Sequence, residues 1–305
     1  MNEISVLAPA TVSNVVCGFD CLGFALAEPF DKMIVRKINE RSVRIINRDN
    51  YDLPTDPTKN VAGVALLALI DAAKLDHGFE VEITKNIKPG SGIGSSAASS
   101  CGAVVAANRL IGDRFSKPEL VDLAMAGEMV ASGSRHADNL APCIYGGFTL
   151  VRSLDPLDIV TLDFPPLFAT VIHPQIEIKT SEARAILPKQ VPLRDAVRNW
   201  SNLGSLVAAL AQGDYGLISR SMEDAIVEPV RRSLIPKFPE VKAACLAVGA
   251  LGGGISGSGP SIFMLSEIQV TAENVGAAMR NVYRATGIDF NIYVSQIHAE
   301  GVRAI

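Results

Sequence analysis

No apolar run in the 305-residue chain is long enough to cross a bilayer; the longest, Val61 to Ile70, stops at Asp71. The start, MNEISVLAPA, carries Glu3 and no basic segment, so it does not read as a secretory leader. Basic residues are not clustered: 28 Lys and Arg stand against 32 Asp and Glu, a net charge of −4. Nucleic acid is therefore not expected as a partner, because neutralising phosphates takes grouped cations. The five cysteines (Cys17, Cys21, Cys101, Cys143, Cys245) are odd in number and lie mostly in apolar or glycine-rich text. Cys17 and Cys21 have three residues between them, but no second Cys/His pair lies close enough in sequence to complete a zinc site. Reduced, packed thiols in a cytoplasmic protein are the expectation. Repeats and low-complexity tracts are absent as well.

What is present is a chain with 48% hydrophobic and 20% charged residues, long enough for two domains, each with its own core. Alternating or β-branched runs predict strands at Ile4–Ala8, Met33–Ile38, Val43–Ile46, Val81–Ile87 and Phe148–Val151. Helical periods cover Val61–Ala73, Ser96–Leu110 and Leu120–Val130, the last opened by a Ser116-x-x-Glu119 capping box. The stretch Ser153–Phe168, dense in Pro and Asp around one short strand, marks a boundary, giving domains 1–156 and 157–305. Beyond it come strands near Ala169–His173, Ser261–Leu265 and Asn291–Ile297. Helices are expected from Thr180, through Val241–Val248, near Ala272–Ala285, and along a stripe of Val197, Trp200, Leu203, Val207 and Leu210. Strands and helices alternate without a regular repeat, so the class is α+β.

Between the strand ending at Ile87 and the helix from Ser96 lies Pro89-Gly90-Ser91-Gly92-Ile93-Gly94-Ser95-Ser96. Glycines let backbone approach a ligand, and a helix N-terminus supplies free N–H donors with a partial positive charge, which together suit phosphate. No Lys follows the glycines, so this is not the common NTPase loop. A second cluster, GGGISG (Gly252 to Gly257), matches the dinucleotide fingerprint literally but follows a helix and leads into a strand, so NAD binding is discounted.

The stretch IKPGSGIGSSAAS resembles the phosphate-loop signature of the GHMP kinases. APATVSNVVCGFDCLGFAL (Ala8 to Leu26) is similar to that family's N-terminal motif, and GISGSGPSIF (Gly254 to Phe263) to its C-terminal glycine motif. The three lie in the family's order and span most of the chain. Two departures stand out: Ile93 replaces the usual Leu or Met, and Val16-Cys17 occupies the place of a common Gly-Pro before Gly-Phe-Asp. The resemblance implies a two-domain GHMP kinase fold, the N-terminal part ribosomal protein S5 domain 2-like and the C-terminal part ferredoxin-like. It also implies ATP over Gly90–Ser96, with Asn60 near the nucleotide and Mg²⁺ held by Ser96 and Glu128.

Within the family, SGSRHADNLAP (Ser132 to Pro142) resembles the homoserine-phosphorylating branch, which carries a His-x-x-Asn pair at this place, here His136 and Asn139. EPVRRSLIP resembles the same branch and points to Arg231. In KTSEARAIL, Thr180 is expected at an N-cap, which puts Arg184 in the first turn against the helix dipole, a cost that an anionic ligand would offset. Two Arg forks suit a carboxylate, Asn14 and Asp20 suit an amino group, and Gly259 belongs to the C-terminal motif beside them. The acceptor implied is L-homoserine, taken by a cytoplasmic homodimer. Asn139 stands where mevalonate-type relatives carry a catalytic Asp, so no strong protein base is expected, with Asp138 a weak candidate. Other acceptors of the family (mevalonate, shikimate, a threonine-like alcohol) and a non-catalytic nucleotide-binding regulator stay open at this point.

Overall fold

The N-terminal motif folds as the turn of one long antiparallel hairpin, β1 (Glu3–Val15) against β2 (Gly18–Ile38). The computed structural model describes residues 1–305, the side chain of Ser132 excepted. Around the turn, Asn14, Val16 and Asp20 take left-handed backbone angles, φ 55, 48 and 58°. For a β-branched residue that costs about 1–2 kcal/mol. Val16, standing where the family's glycine is common, is only 4% exposed, so packing offsets the strain.

Chain order then gives β3 (Val43–Asn47), α1 (Val61–Ala72), β4 (Gly78–Thr84), α2 (Ser95–Leu110), α3 (Lys117–Ser132), α4 (Leu140–Tyr145), β5 (Phe148–Leu154) and β6 (Leu157–Leu162). The 21-residue β2 serves two neighbours on one edge, β4 through residues 32–38 and β5 through residues 22–24. The strand β6 pairs with β5, so by hydrogen bonding the first sheet runs to Leu162, six residues past the expected boundary at 156. Helices α1, α2 and α3 cover this sheet. In α2 all but Ser96, Val105 and Arg109 are buried, because its Ala, Ser and Gly side chains permit close approach. A Cβ on Gly102, for instance, would lie 2.7 Å from Met33 Sδ.

The second half holds β7 (Phe168–Pro174), α5 (Thr180–Ala185), α6 (Leu193–Gln212), α7 (Tyr215–Ser221), α8 (Glu228–Arg231), α9 (Phe238–Ala247), β8 (Gly252–Ile255), β9 (Ile262–Ser266), α10 (Gln269–Arg284) and β10 (Phe290–Gln296). Its sheet, in the order β10-β7-β9-β8, is antiparallel throughout, the ferredoxin-like arrangement of a βαββαβ unit. The last strand, β11 (Arg303–Ala304), returns to β1, and a bridge from Leu26 to Ile297 joins the halves. Among the described residues, no helix is long and apolar enough to cross a membrane.

On α6 the buried side is Ala196, Asn199, Leu206, Ala209 and Leu210. The stripe expected from periodicity meets this side in its second half, where Leu210 is buried and Leu203 packs on the core, while Val197 and Trp200 at its start are 47% and 62% exposed. Near the helix start Asn199 faces inward: its side chain donates to the Cys17 carbonyl and accepts from the Ala225 N–H, polar demands that a periodicity count ignores.

Beneath α2 lies a buried ion pair, Lys85 with Asp31. The Lys85 ammonium also donates to the Ser95 carbonyl (2.8 Å) and Ser99 Oγ (3.0 Å), while Asp31 accepts from the N–H groups of Asn86 and Ile87. Burial nonetheless pushes the Asp31 carboxyl above its ordinary value, with Lys85 pulling it back. Breaking such a pair strands a charge. Lys85→Met is expected to cost about 3–5 kcal/mol of unfolding free energy. Adding Asp31→Asn should recover part of it, which a double-mutant cycle by denaturant unfolding measures.

Candidate active site

Two helices of the first half open with side-chain caps. Asn60 caps α1, accepting from the Ala62 and Gly63 N–H groups at 2.9 and 3.2 Å, and α3 opens with the expected Ser116–Glu119 capping box. The N-terminus of α2 is built on glycine and, like those of α4, α5, α6, α8, α9 and α10, lacks a side-chain cap. Its N-cap is Gly94, in the left-handed region at φ 73°, and no side chain caps it. The two serines that open the helix turn elsewhere: Ser95 Oγ donates to the Ile87 carbonyl (2.8 Å) and Ser96 Oγ to Glu128 Oε2 (2.9 Å). First-turn N–H groups have no partner inside a helix, so this end offers an anion site.

Glycine is required here by geometry. Gly90, Gly92 and Gly94 sit at φ 74, 79 and 73°, alternating with ordinary residues. A Cβ on Gly94 would meet Thr11 Oγ1 at 2.0 Å, and one on Gly92 would meet the Gly259 carbonyl at 2.6 Å. The loop's carbonyls are tied from behind by the C-terminal motif, Ser256 Oγ donating to Gly92 O (2.7 Å) and Ser261 Oγ to Ser91 O (2.6 Å). That motif in turn meets the N-terminal one: Gly257 N–H donates to Ser13 O (3.1 Å) and Asn14 Nδ2 to Gly257 O (2.8 Å). Three segments far apart in sequence thus meet at one backbone junction.

The junction lines a cavity of about 340 Å³ that also reaches Glu128, Asp20, His136, Asp138, Asn139, Thr180, Arg184 and Arg231. Pro89, Gly90, Gly92, Gly94, Ser95, Ser96 and Asn14 line it too, whereas Asn60, Ser91, Ile93 and Gly259 do not. Asn60 is consumed as the α1 cap and by a bond to the Pro54 carbonyl. Ser91 and Ile93 are fully buried beneath the loop. Gly259 packs behind Gly92.

At the acceptor end, Asp20 takes both Nη atoms of Arg184, at 2.8 and 3.0 Å, which raises the guanidinium above its ordinary value. Arg184 also contacts His136 Nε2 at 3.3 Å. The other ring nitrogen, Nδ1, lies 3.9 Å from Asp20. The Nε of Arg184 is buried with no partner. Arg231, 2% exposed, donates to the carbonyls of Ala183 (3.0 Å) and Gly257 (3.1 Å). Burial, and then the charge of Arg184, pull it below its ordinary value. Asp138 is buried beside Asp20 and pushed up, first by burial and then by that neighbour.

Two expectations about α5 fail. Its N-cap is Lys179, and Thr180 is the first helical residue, its Oγ1 3.3 Å from Ser258 Oγ. The helix is six residues long, so Arg184 lies in its last turn, where the dipole favours a cation; what balances its charge is Asp20. Asn139 is anchored at both ends of its amide, accepting from Thr11 Oγ1 and donating to Ser13 Oγ, each at 2.8 Å. Thr11, Ser13, Phe19, Asp31 and Lys85 also shape the site; the first three lie inside the quoted N-terminal motif without having been singled out, and Asp31 and Lys85 carried no recognisable spacing.

A serine hydroxyl and a carboxylate on facing helices are hard oxygen donors. Among the described residues no group of three or more His, Cys, Asp or Glu could hold a metal alone. The pair therefore fits a cation such as Mg²⁺ that takes few protein oxygens and relies on phosphate for the rest. Gly94→Ala should cost about 1–2 kcal/mol through its backbone angle, before the clash with Thr11 is counted. The expected outcome is a lowered thermal midpoint together with weakened adenine-nucleotide binding by calorimetry.

The family model for the GHMP kinases N terminal domain matches residues 60–147, and that for the GHMP kinases C terminal matches residues 206–285. A homoserine kinase of Chloroherpeton thalassium is 44% identical over 319 residues, covering 100% of both chains. One from Pyrococcus furiosus is 40% identical over 296 residues, covering 96% of this chain and 98% of its own. The crystal structure of homoserine kinase from Cytophaga hutchinsonii superposes with a TM-score of 0.96 at 49% identity, covering 100% of this chain and 98% of that one. L. major mevalonate kinase shares the fold, with a TM-score of 0.73 at 16% identity over 95% of each chain. With both halves matched and full-length relatives this similar, the chain belongs to the GHMP kinase family, in its homoserine kinase group.

Proposed function

We propose that the chain transfers the γ-phosphate of ATP to the side-chain hydroxyl of L-homoserine, giving O-phospho-L-homoserine. The observation that carries this reading is the shared cavity: an uncapped, glycine-led helix N-terminus opens into the same space as an arginine–carboxylate cluster. The backbone N–H groups from Gly90 to Ser96 grip the triphosphate, while Leu53, Val61 and Ala131 offer apolar lining. Ser96 and Glu128 are the residues that would hold Mg²⁺, which when bound neutralises charge on the transferring phosphate.

The acceptor end is matched to a zwitterion. Without substrate, Asp20 and Arg184 satisfy each other. A ligand bearing both an ammonium and a carboxylate exchanges one pair for two, the ammonium going to Asp20 and the carboxylate to Arg184 and Arg231. A ligand with only one of these charges leaves a protein charge unpaired, which is costly in a half-buried site. Thr180, His136 and Asn14 flank the exchange and fix the ligand's orientation.

For the chemical step the chain supplies position and charge. The phosphoryl transition state is loose, so holding the hydroxyl in line with the γ-phosphorus provides most of the acceleration. Asn139, an amide tied at both ends, holds the α4 N-terminus in place and takes no proton. The hydroxyl proton leaves to phosphate or water. The enzyme acts as a cytoplasmic homodimer, as the family resemblance implies.

Glu128→Gln should lower kcat by roughly 10²–10³-fold with little change in thermal stability. Near-normal turnover at saturating Mg²⁺ would remove Glu128 from the metal site. Acceptors lacking one charge, 3-amino-1-propanol and 4-hydroxybutyrate, should show kcat/KM about 10–100-fold below homoserine. In a coupled ADP-release assay, Arg184→Ala should erase the advantage of homoserine over 3-amino-1-propanol and leave the KM for ATP unchanged.

A further inference from the structure

Phe19 is a large aromatic residue that packs, among the described residues, into none of the three hydrophobic clusters of the molecule. It is half-buried at the start of β2, one residue before Asp20. Its ring contacts two cations: the guanidinium of Arg231 lies over it at 5.0 Å from the centroid and that of Arg184 at 5.5 Å. Two like charges gathered on one ring repel each other, and the negative face of the ring offsets that repulsion. The neighbouring carboxylate meets only one of the two, Arg184, at its edge.

We infer that Phe19 is a positioning residue for the acceptor: its ring holds Arg184 and Arg231 as one fork for the substrate carboxylate. The inference rests on the acceptor reading above and adds a residue to it. When a ligand ammonium takes Asp20, the clamp on the edge of Arg184 loosens. The ring contact persists and keeps that guanidinium aimed. Among the described residues Arg231 has no carboxylate partner of its own. For it, the ring and two backbone carbonyls are what fix the plane.

The test compares Phe19→Leu, Phe19→Tyr and Phe19→Trp. Leucine keeps apolar bulk and loses the π face, so the KM for homoserine should rise about 5- to 30-fold. The KM for ATP and kcat should stay within about twofold if the ring acts only through the arginines. Tyrosine and tryptophan should restore the homoserine KM. A leucine variant equal to wild type would overturn the inference, as would equal losses in all three variants or a parallel rise in the KM for ATP.

A second measurement needs no turnover. In NMR of the ligand-free chain, the side-chain signals of both arginines should carry ring-current shifts that vanish in Phe19→Leu and persist in Phe19→Tyr. Signals unmoved by the leucine change would overturn the stacking itself. Wild-type chain without homoserine-dependent ADP release would instead sink the acceptor assignment, with the arginine spectra still deciding whether the ring orders the pair.

Discussion

An α-helix that begins inside a protein must find partners for its first N–H groups, and in α2 the chain withholds them. Gly94 contributes no side chain, Ser95 turns back to Ile87, and Ser96 reaches across to Glu128. The vacancy is maintained by everything around it. Lys85 holds the Ser95 carbonyl and Ser99 from below, and Ser256 and Ser261 hold the loop carbonyls from behind. Because these contacts occupy the acceptors, the donors stay directed at the cavity. The buried flanks of α2 lower the local dielectric, so the partial charge at its end acts more strongly on a phosphate than it would in water.

The same junction explains why both halves of the chain are needed. The C-terminal glycine motif belongs to the ferredoxin-like sheet, yet its hydroxyls fix the phosphate loop and its Gly257 carbonyl receives both Asn14 and Arg231. A shift of the second sheet would therefore disturb nucleotide and acceptor ends together. The acceptor end is built on strained backbone, with Asn14, Val16 and Asp20 all left-handed. Asn14 stabilises that conformation locally by accepting from the Asp20 N–H at 2.8 Å. This orients the Asp20 carboxylate toward Arg184.

Features governed by backbone conformation were legible in the sequence. The glycines at 90, 92 and 94 mark a loop of unusual backbone freedom before a helix, and Ser116 with Glu119 predicts a capping box; the loop's three glycines are left-handed and the box is present. Features governed by distant partners were not. Asp31 and Lys85 are 54 positions apart, and no local pattern links them. The place of Arg184 was misread because a Thr followed by a helical stretch suggests an N-cap. The backbone begins the helix one residue earlier and ends it after six. On α6, periodicity found the buried face at Leu203 and Leu210 but not at the helix start, where Asn199 faces inward and Val197 and Trp200 are exposed.

Val16 shows how a family motif can be departed from without losing its geometry. A glycine there would take the left-handed angle freely but would carry a larger entropic cost on folding, about 0.5–1 kcal/mol. Valine pays strain instead and returns it through burial, since its side chain is nearly fully enclosed and lies against Gly254. The contact partner matters. Gly254 belongs to the C-terminal motif, so the substitution strengthens packing at the junction on which the phosphate loop depends. Strain in one turn and packing across the junction are thus two sides of one local exchange, and the φ angle of 48° at residue 16 is retained because the neighbours over-determine it.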